Sequence, residues 1–456
     1  METKKKGKLI YNVYRAMTYA LSPVLYLHLQ WRRLQGLEHP QRWRERLGHP
    51  SLSRPPGPLI WFHAVSLGES MAAIPVIKHC IRQEPNFTIL MTTTTTSAFK
   101  VIKNRLPNCV LYQFAPLDTP VAIDSFLQYW NPSAILLIES ELWPNLILGA
   151  SKKGIAVALL NARVSSKSFT LWSQPLGLPL ISLMLSKLSL ITPLSTQQAI
   201  LFQLLEAPPF IINFAGDLKY GCYILICCIQ FEAVGDVDAS EKEKSSIEDL
   251  KLELNNRPVW MSSSIHEGEE EVMLGVHNAL MPMYPDMITV IVPRHPRQGL
   301  KIALALQKEG LEVVLRSRDE RITPSTNIYL VDTLGELRSL YKSIPIAVIG
   351  GSFLPGLAGH NISEAAAASC AVMTGHHVGH FSHMVLEMQR SNPLSVLQVS
   401  GKAELVKVIS ELFSNHDALK ARRLAAKQAF TTLSSGVVAK VWNLIDLHIV
   451  RKAIPP

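Results

Sequence analysis

The chain has 456 residues, 45 basic and 36 acidic, for a formal net charge of +9. A composition of 48% apolar and 18% charged residues excludes disordered and collagen-like chains, and the length favours two or three domains. Six cysteines without an even framework of spacings argue against a disulfide-stapled secreted protein, and no apolar run of about 20 residues marks a polytopic membrane protein. The basic excess suits a partner carrying phosphate or carboxylate, or an anionic membrane surface.

The first fifty residues are the most skewed. Lys4, Lys5, Lys6 and Lys8 precede an apolar-aromatic stretch from Leu9 to Leu29 that Arg15 and Pro23 interrupt. Trp31, Arg32, Arg33, Arg42, Arg44 and Arg46 follow. The interruptions make a poor spanning helix, whereas Tyr11, Tyr14, Tyr19 and Tyr26 with flanking cations suit a membrane interface. A basic, acid-poor start also looks like an organelle transit peptide, and an ordinary first helix packed on the domain is the alternative. Segment 1–50 is therefore set apart as membrane-associating or targeting.

From Leu59 onward, short apolar runs alternate with helical spacing. Leu59–Ala64, Thr88–Met91, Ala134–Ile138, Ile155–Leu160 and Leu190–Ile191 read as buried strands of a parallel sheet, forming a first domain over 51–215. The rhythm stops near Gly216. A linker over 216–250 holds the apolar block Gly221–Gln230, with three of the six cysteines, and the charged, Ser-rich stretch Ser240–Ser246. The block reads as an extra buried strand or an insertion; no histidine or CxxC pair supports a metal there. Val259–Met261, Thr289–Val292, Val313–Leu315, Ile328–Val331, Ile346–Ile349 and Ala371–Thr374 resume the rhythm as a second domain over 251–400. Helical patterns fill 401–456. The fold class is α/β, with two doubly wound domains and a cleft expected between them.

Ligands in open α/β sheets sit beyond the carboxyl ends of the strands. After the first strand comes Val65-Ser66-Leu67-Gly68-Glu69. Glu69 there either accepts a proton from an attacking hydroxyl or merely complements a helix N-terminus. The run Thr92–Ser97 offers donors to an anion or sugar, or caps a helix starting near Ala98. Glu139-Ser140-Glu141-Leu142-Trp143-Pro144-Asn145 puts two carboxylates and an aromatic face at one strand end, which suits a sugar better than a solvated loop. Asn161-Ala162-Arg163 is again polar. In the second half, Arg294 between Pro293 and His295-Pro296 suits a bidentate oxyanion contact. Asp332 or Thr333 could cap a helix in a capping-box pattern with Glu336. Gly350-Gly351-Ser352 allows close backbone approach to phosphate but is no ATP-type P-loop, and Glu364 suits ribose hydroxyls. Ser66, Gly68, Thr93, Thr94, Arg163, Gly351 and Ser352 are the candidate sugar or anion contacts.

These pieces in this order resemble the 3-deoxy-D-manno-octulosonic acid (Kdo) transferases, glycosyltransferase family 30. The resemblance is carried by His63–Glu69, the threonine run, Ala115–Pro120, Glu139–Asn145, Asn161–Arg163 and Gly216-Asp217-Leu218-Lys219-Tyr220. It continues through Pro293–Pro296, Asp332–Leu337, Gly350–Ser352, Gly359-His360-Asn361 and Glu364. Gly351–Gly356 and Gly379–His383 look like the plant branch.

The resemblance implies a GT-B fold, CMP-Kdo as donor, an acylated disaccharide lipid A precursor as acceptor, inversion at the anomeric carbon, and neither metal nor cofactor. It implies Glu69 as the base, with Glu139 and Lys219 near the transition state and Glu141 as the alternative acid. Nucleotide contacts fall on Pro293 and Arg294, on Leu334, Gly335 and Glu336, and on Asn361, Ile362, Ser363 and Glu364. The plant-like flavour with the basic start suggests a mitochondrial, membrane-associated protein; a bacterial one would sit on the cytoplasmic face of the inner membrane. The chain departs from the family at Ile362, where bacterial members usually have proline, and at Ser369, where glycine is expected. Another GT-B enzyme, a nucleotide-sugar transferase or 2-epimerase, is the alternative. No basic stripe with interleaved aromatics outside the N-terminus points to nucleic acid.

Overall fold

A computed structural model describes residues 2–220, 253–254, 257–333 and 336–451. The block Gly221–Gln230 and nearly all of the linker lie outside the described residues. The chain divides into two units, Met1–Leu225 with Gly436–Pro456, and Ile226–Ser435.

The first unit holds a parallel sheet of β1 (Leu59–His63), β2 (Thr88–Thr93), β3 (Leu111–Phe114), β4 (Ala134–Ile138), β5 (Ala156–Ala162) and β6 (Leu190–Pro193). Its order is β3-β2-β1-β4-β5-β6, with every described pairing parallel. Trp61, Phe62, Leu136 and Leu159 are fully buried, because crossover helices cover both faces. The order reverses between β1 and β4, so the switch point falls where His63 ends β1 and Glu139 follows β4.

The second unit holds β7 (Val259–Ile265), β8 (Ile288–Pro293), β9 (Val313–Leu315), β10 (Ile328–Leu330), β11 (Ile346–Ile349), β12 (Ala371–Thr374) and β13 (Val396–Gln398). Its order, β13-β12-β11-β7-β8-β10-β9, reverses between β7 and β11. The sequence rhythm locates eleven of these strands and misses β3 and β13. Both are short and each carries a glutamine, Gln113 or Gln398, so neither is the continuous apolar run of a central strand.

The outer edge of β3 explains the arginines that precede it. Arg42 Nη2 donates to Tyr112 O (2.8 Å), Glu45 accepts from Phe114 N (2.8 Å), and Arg46 Nη1 donates to Ala115 O (2.5 Å). Side chains thereby satisfy a strand edge that would otherwise template aggregation. Arg42 also stacks on Phe99. Arg42 and Arg46 thus turn inward, a correction to reading them with the membrane-associating or targeting segment 1–50. The segment is not separate from the first domain either. Helix Glu2–Ala20 lies along helix Gly177–Leu185, with Tyr11 buried and Gly7 so close that a Cβ would meet Pro179 O at 2.2 Å. Its other face leaves Leu9 66% and Met17 57% exposed.

The expected C-terminal block of 401–456 is divided. Helix Lys402–Ser414 and helix His416–Ser434 belong to the second unit. Gly436, at φ +74, ends that run, and helix Val437–Ile445 buries Val441, Trp442 and Ile445 in the first unit's core. His416–Val450 is long and apolar enough to cross a membrane by length and composition; 39% of its apolar window is buried, and Val441, Trp442 and Ile445 are core. Ser369, where glycine was expected, sits at φ +63, a left-handed conformation that costs a side chain about 1–2 kcal/mol.

Candidate active site

In the first unit, Ser66 begins helix Leu67–Gln83 with a capping box: Glu69 N donates to Ser66 Oγ (3.3 Å), and Glu69 Oε2 accepts from Val65 N (2.8 Å) and Ser66 N (3.3 Å). The helix-capping reading of Glu69 is therefore met by geometry, through one carboxylate oxygen. Burial, with the charges of Glu139 and Glu141, pushes the Glu69 carboxyl above the ordinary glutamate range. Gly68 is exposed with open space where a Cβ would stand.

The two acids of Glu139–Asn145 have different partners. Glu139 lies at φ +65, held there by Glu139 N donating to Leu160 O (2.8 Å) and Arg163 N donating to Glu139 O (3.1 Å). Its side chain meets Lys219 Nζ at 2.6 Å, mostly buried. Lys219 is aimed by Asp217, whose buried carboxylate accepts from Lys219 N (2.8 Å) and Asn161 Nδ2 (3.1 Å). Asn161 Oδ1 in turn accepts from Leu218 N (3.0 Å). Burial raises the Asp217 carboxyl against the lowering by Lys219. A non-glycine residue held at positive φ beside such a pair is where strain is commonly kept at a working site.

Glu141 instead accepts from Trp143 Nε1 and faces His63 Nε2 at 3.5 Å. His63 Nδ1 lies 2.9 Å from Thr92 Oγ1, which accepts from Trp61 Nε1 (2.8 Å). Glu141 only accepts, so a proton on Nε2 faces it, and Nδ1 shares one hydrogen bond with the Thr92 hydroxyl. Three acids thus gather at the β1/β4 switch point: Glu69 capped, Glu139 paired with a cation, Glu141 held by an imidazole and an indole. Sequence reasoning singled out neither His63 nor Asp217 nor Asn161 as site residues; each acts by orienting another, which spacing does not reveal.

Nearby, Asp118 accepts from Tyr14 Oη (3.0 Å), Asn145 N (3.1 Å) and Leu146 N (2.9 Å). It ties the N-terminal helix to the helix that follows Trp143. Burial pushes its carboxyl up to about 6. The threonine run is split: Thr93 Oγ1 bonds Tyr112 Oη (2.9 Å), Thr95 caps its helix, and Thr94 stays half-buried. The half-buried Arg163 follows β5 beside Glu139.

In the second unit the glycine turn is already filled. Glu269 is fully buried and accepts from Gly351 N (2.7 Å), Ser352 N (2.9 Å), Phe353 N (2.9 Å) and His266 N (2.8 Å). The backbone donors of Gly351 and Ser352, read as anion contacts, are committed to this carboxylate, and Ser352 Oγ donates to Ile349 O (2.7 Å). Glu269→Gln should destabilise the chain by about 3–5 kcal/mol in denaturant unfolding, since an amide satisfies these donors poorly. His266 Nε2 and His360 Nε2 stand 2.9 Å apart near exposed Arg294. Burial, then Arg294, lowers His360 to about 4.

The capping box expected at Glu336 does not form. Glu336 is itself the N-cap residue; it accepts from Arg316 Nε (2.8 Å) and Thr333 Oγ1 (2.9 Å), while Asp332 accepts from Ser317 N and Oγ. The 3₁₀ turn after β9 brings Arg316 to this carboxylate. Leu334 and Gly335 lie outside the described residues. Asn361 Oδ1 accepts from Ser363 N (3.0 Å) and Oγ (2.7 Å), closing a turn just before helix Ser363–Ala367. Ile362 is buried, which leaves only its backbone for a ligand, and Glu364 is half-buried in the first turn. Pro293 ends β8. Among the described residues no cluster of three or more His, Cys, Asp or Glu side chains could hold a metal.

Residues 41–222 match the family model for 3-deoxy-D-manno-octulosonic-acid transferase. The chain is 60% identical over 448 residues to an Arabidopsis thaliana protein named a probable mitochondrial 3-deoxy-D-manno-octulosonic acid transferase, covering 98% of both chains. It is 28% identical to the 3-deoxy-D-manno-octulosonic acid transferase of Haemophilus influenzae, over 96% of this chain and 98% of the relative. Among solved structures, the UDP-GlcNAc 2-epimerase of Neisseria meningitidis superposes with a TM-score of 0.58 at 13% identity, over 85% of this chain and all of that one, a likeness of fold alone. Identity at this level over nearly the whole length places the chain among the 3-deoxy-D-manno-octulosonic acid transferases, glycosyltransferases with two parallel-sheet α/β domains of the GT-B type.

Proposed function

We propose that the chain transfers Kdo from CMP-Kdo to an acylated disaccharide lipid A precursor, with inversion and without a metal. One observation carries the reading: Glu69, with its carboxyl raised by burial, stands with Glu139 and Glu141 where an ion-paired lysine also ends. Glu69 takes the proton of the acceptor's primary hydroxyl as that oxygen attacks the anomeric carbon, and CMP leaves. Lys219, fixed by Glu139 and Asp217, supplies positive charge to the sugar's carboxylate and to the breaking bond, assisted by Arg163. Arg294, Pro293, Glu336 and Asn361–Glu364 hold the nucleotide. The experiment is turnover: purified chain, CMP-Kdo generated in situ, a tetraacyl lipid A precursor, and mass spectrometry for the Kdo adduct. Absence of the adduct with a folded chain overturns the reading.

The same reading gives the N-terminal helix a task. Its inner face packs on helix Gly177–Leu185, while Leu9, Val13 and Met17 stay outside beside Lys5, Lys6 and Lys8. That surface would hold the chain on an anionic membrane where a lipid acceptor lies. Replacing Leu9, Val13 and Met17 together by glutamate should reduce sedimentation with phosphatidylglycerol vesicles at least tenfold, leaving the melting transition in place. A mitochondrial location follows the plant relative's name, and imaging a fluorescent fusion in plant cells checks it.

A further inference from the structure

A cavity of about 60 Å³ opens beside the acid cluster, within the first unit. Arg46, Trp61, His63, Thr94, Asp118 and Trp143 are among its walls. His63 is shared: one face lines the cavity and Nε2 faces Glu141. The space is well above the roughly 10–15 Å³ that one water needs. That is room for the oxygens of an oxyanion.

Arg46 is the unusual wall. Only 8% of its surface is exposed, and no carboxylate lies within ion-pair distance among the described residues. Glu38, whose charge it feels, is held by Arg32 Nε at 2.7 Å. Of its five N–H donors, Nη1 serves Ala115 O, and the buried Nε has no partner among the described residues. The acid among the cavity's lining residues, Asp118, is committed to Tyr14, Asn145 and Leu146. Burial lowers the guanidinium only to about 10, so it stays charged at neutral pH. A buried, charged fork with spare donors and no carboxylate within ion-pair distance is costly unless an anion arrives.

We propose that this cavity is an oxyanion subsite, in which Arg46 binds a phosphate or carboxylate of a substrate whose reacting end lies over Glu69 and Glu141. The assignment rests on the transferase reading above. Sequence reasoning grouped Arg46 with the membrane-associating or targeting segment 1–50; the structure places it in one cavity with His63, which faces Glu141.

The test uses the full chain and compares wild type, Arg46→Gln and Arg46→Lys. KM is measured separately for acceptor and for CMP-Kdo, alongside quenching of Trp143 by inorganic phosphate, with Trp143→Phe as the fluorescence control. Arg46→Gln should raise one KM by about 10–100-fold and abolish the phosphate quench. A rise confined to the acceptor assigns the subsite to an anionic group on the acceptor, and one confined to CMP-Kdo assigns it to the sugar carboxylate. If Arg46→Gln loses its melting transition, Arg46→Lys decides, since it keeps the charge and can keep the Ala115 contact; it should raise the same KM at least fivefold. Unchanged KM values and phosphate quench in a folded variant overturn the proposal. Wild type inactive with every acceptor overturns the transferase reading instead, and the phosphate quench still tests the cavity.

Discussion

Glu69→Gln is expected to lower turnover by about 10²–10⁴-fold while CMP-Kdo still binds, which is the range for losing a general base. The amide keeps an oxygen for Val65 N and Ser66 N, so the capping box and helix Leu67–Gln83 survive. Stopped-assay rates and donor titration on the same preparation check both halves of the outcome; near-wild-type turnover refutes the base. The pH behaviour has a definite sign. Glu69 acts ionised, and burial with two neighbouring acids raises its carboxyl. Turnover should therefore fall, as pH drops, at a pH above the ordinary glutamate range. Stability runs the other way. A raised native carboxyl binds more protons than the unfolded one between the two values, so its ionisation costs stability above the native value, and this cost vanishes below the unfolded one. Glu69→Gln should be as stable as wild type in acid and at least as stable at neutral pH, despite being nearly inactive.

Lys219→Met should cut turnover by about 10²–10³-fold, the scale for one preorganised electrostatic group. It should also destabilise the first unit by about 3–5 kcal/mol, because Glu139 is left as a mostly buried charge at a strained backbone position. The double variant Lys219→Met/Glu139→Gln separates the two effects. Removing both charges should restore most of the lost stability, seen in denaturant unfolding, yet leave turnover no better than in Lys219→Met alone. Recovery of turnover along with stability would mean that the pair only supports the fold.

Much of this molecule was legible in the chain. Continuous apolar runs such as Ala134–Ile138 and Ile346–Ile349 are what a strand buried on both faces demands, and they announced two parallel sheets. Polar residues directly after such runs marked Glu69, Glu139 and Arg294 as positions at strand ends. Two short strands interrupted by a polar residue escaped: β3 holds Gln113 and β13 ends in Gln398, whereas the edge strands β6 and β9 read as apolar runs. The competing partners escaped as well. Gly351 and Ser352 read as an open anion cradle because Glu269, some eighty residues earlier, leaves no local sign that it fills that turn. Glu336 read as a capping acid until Arg316 reached it from the 3₁₀ turn after β9.

The chain by itself therefore determined the elements and which residue types stand at their ends, because burial and helix spacing are local and periodic. Tertiary structure alone decided which charge meets which. Glu139 to Lys219, Glu141 to His63, Asn161 to Asp217 and Arg46 to its cavity are separated by tens of residues, and hydrogen-bond reach of about 3 Å depends on how strands are ordered in the sheet. That order sets β4 beside β1 at the switch point, and with it the gathering of three acids.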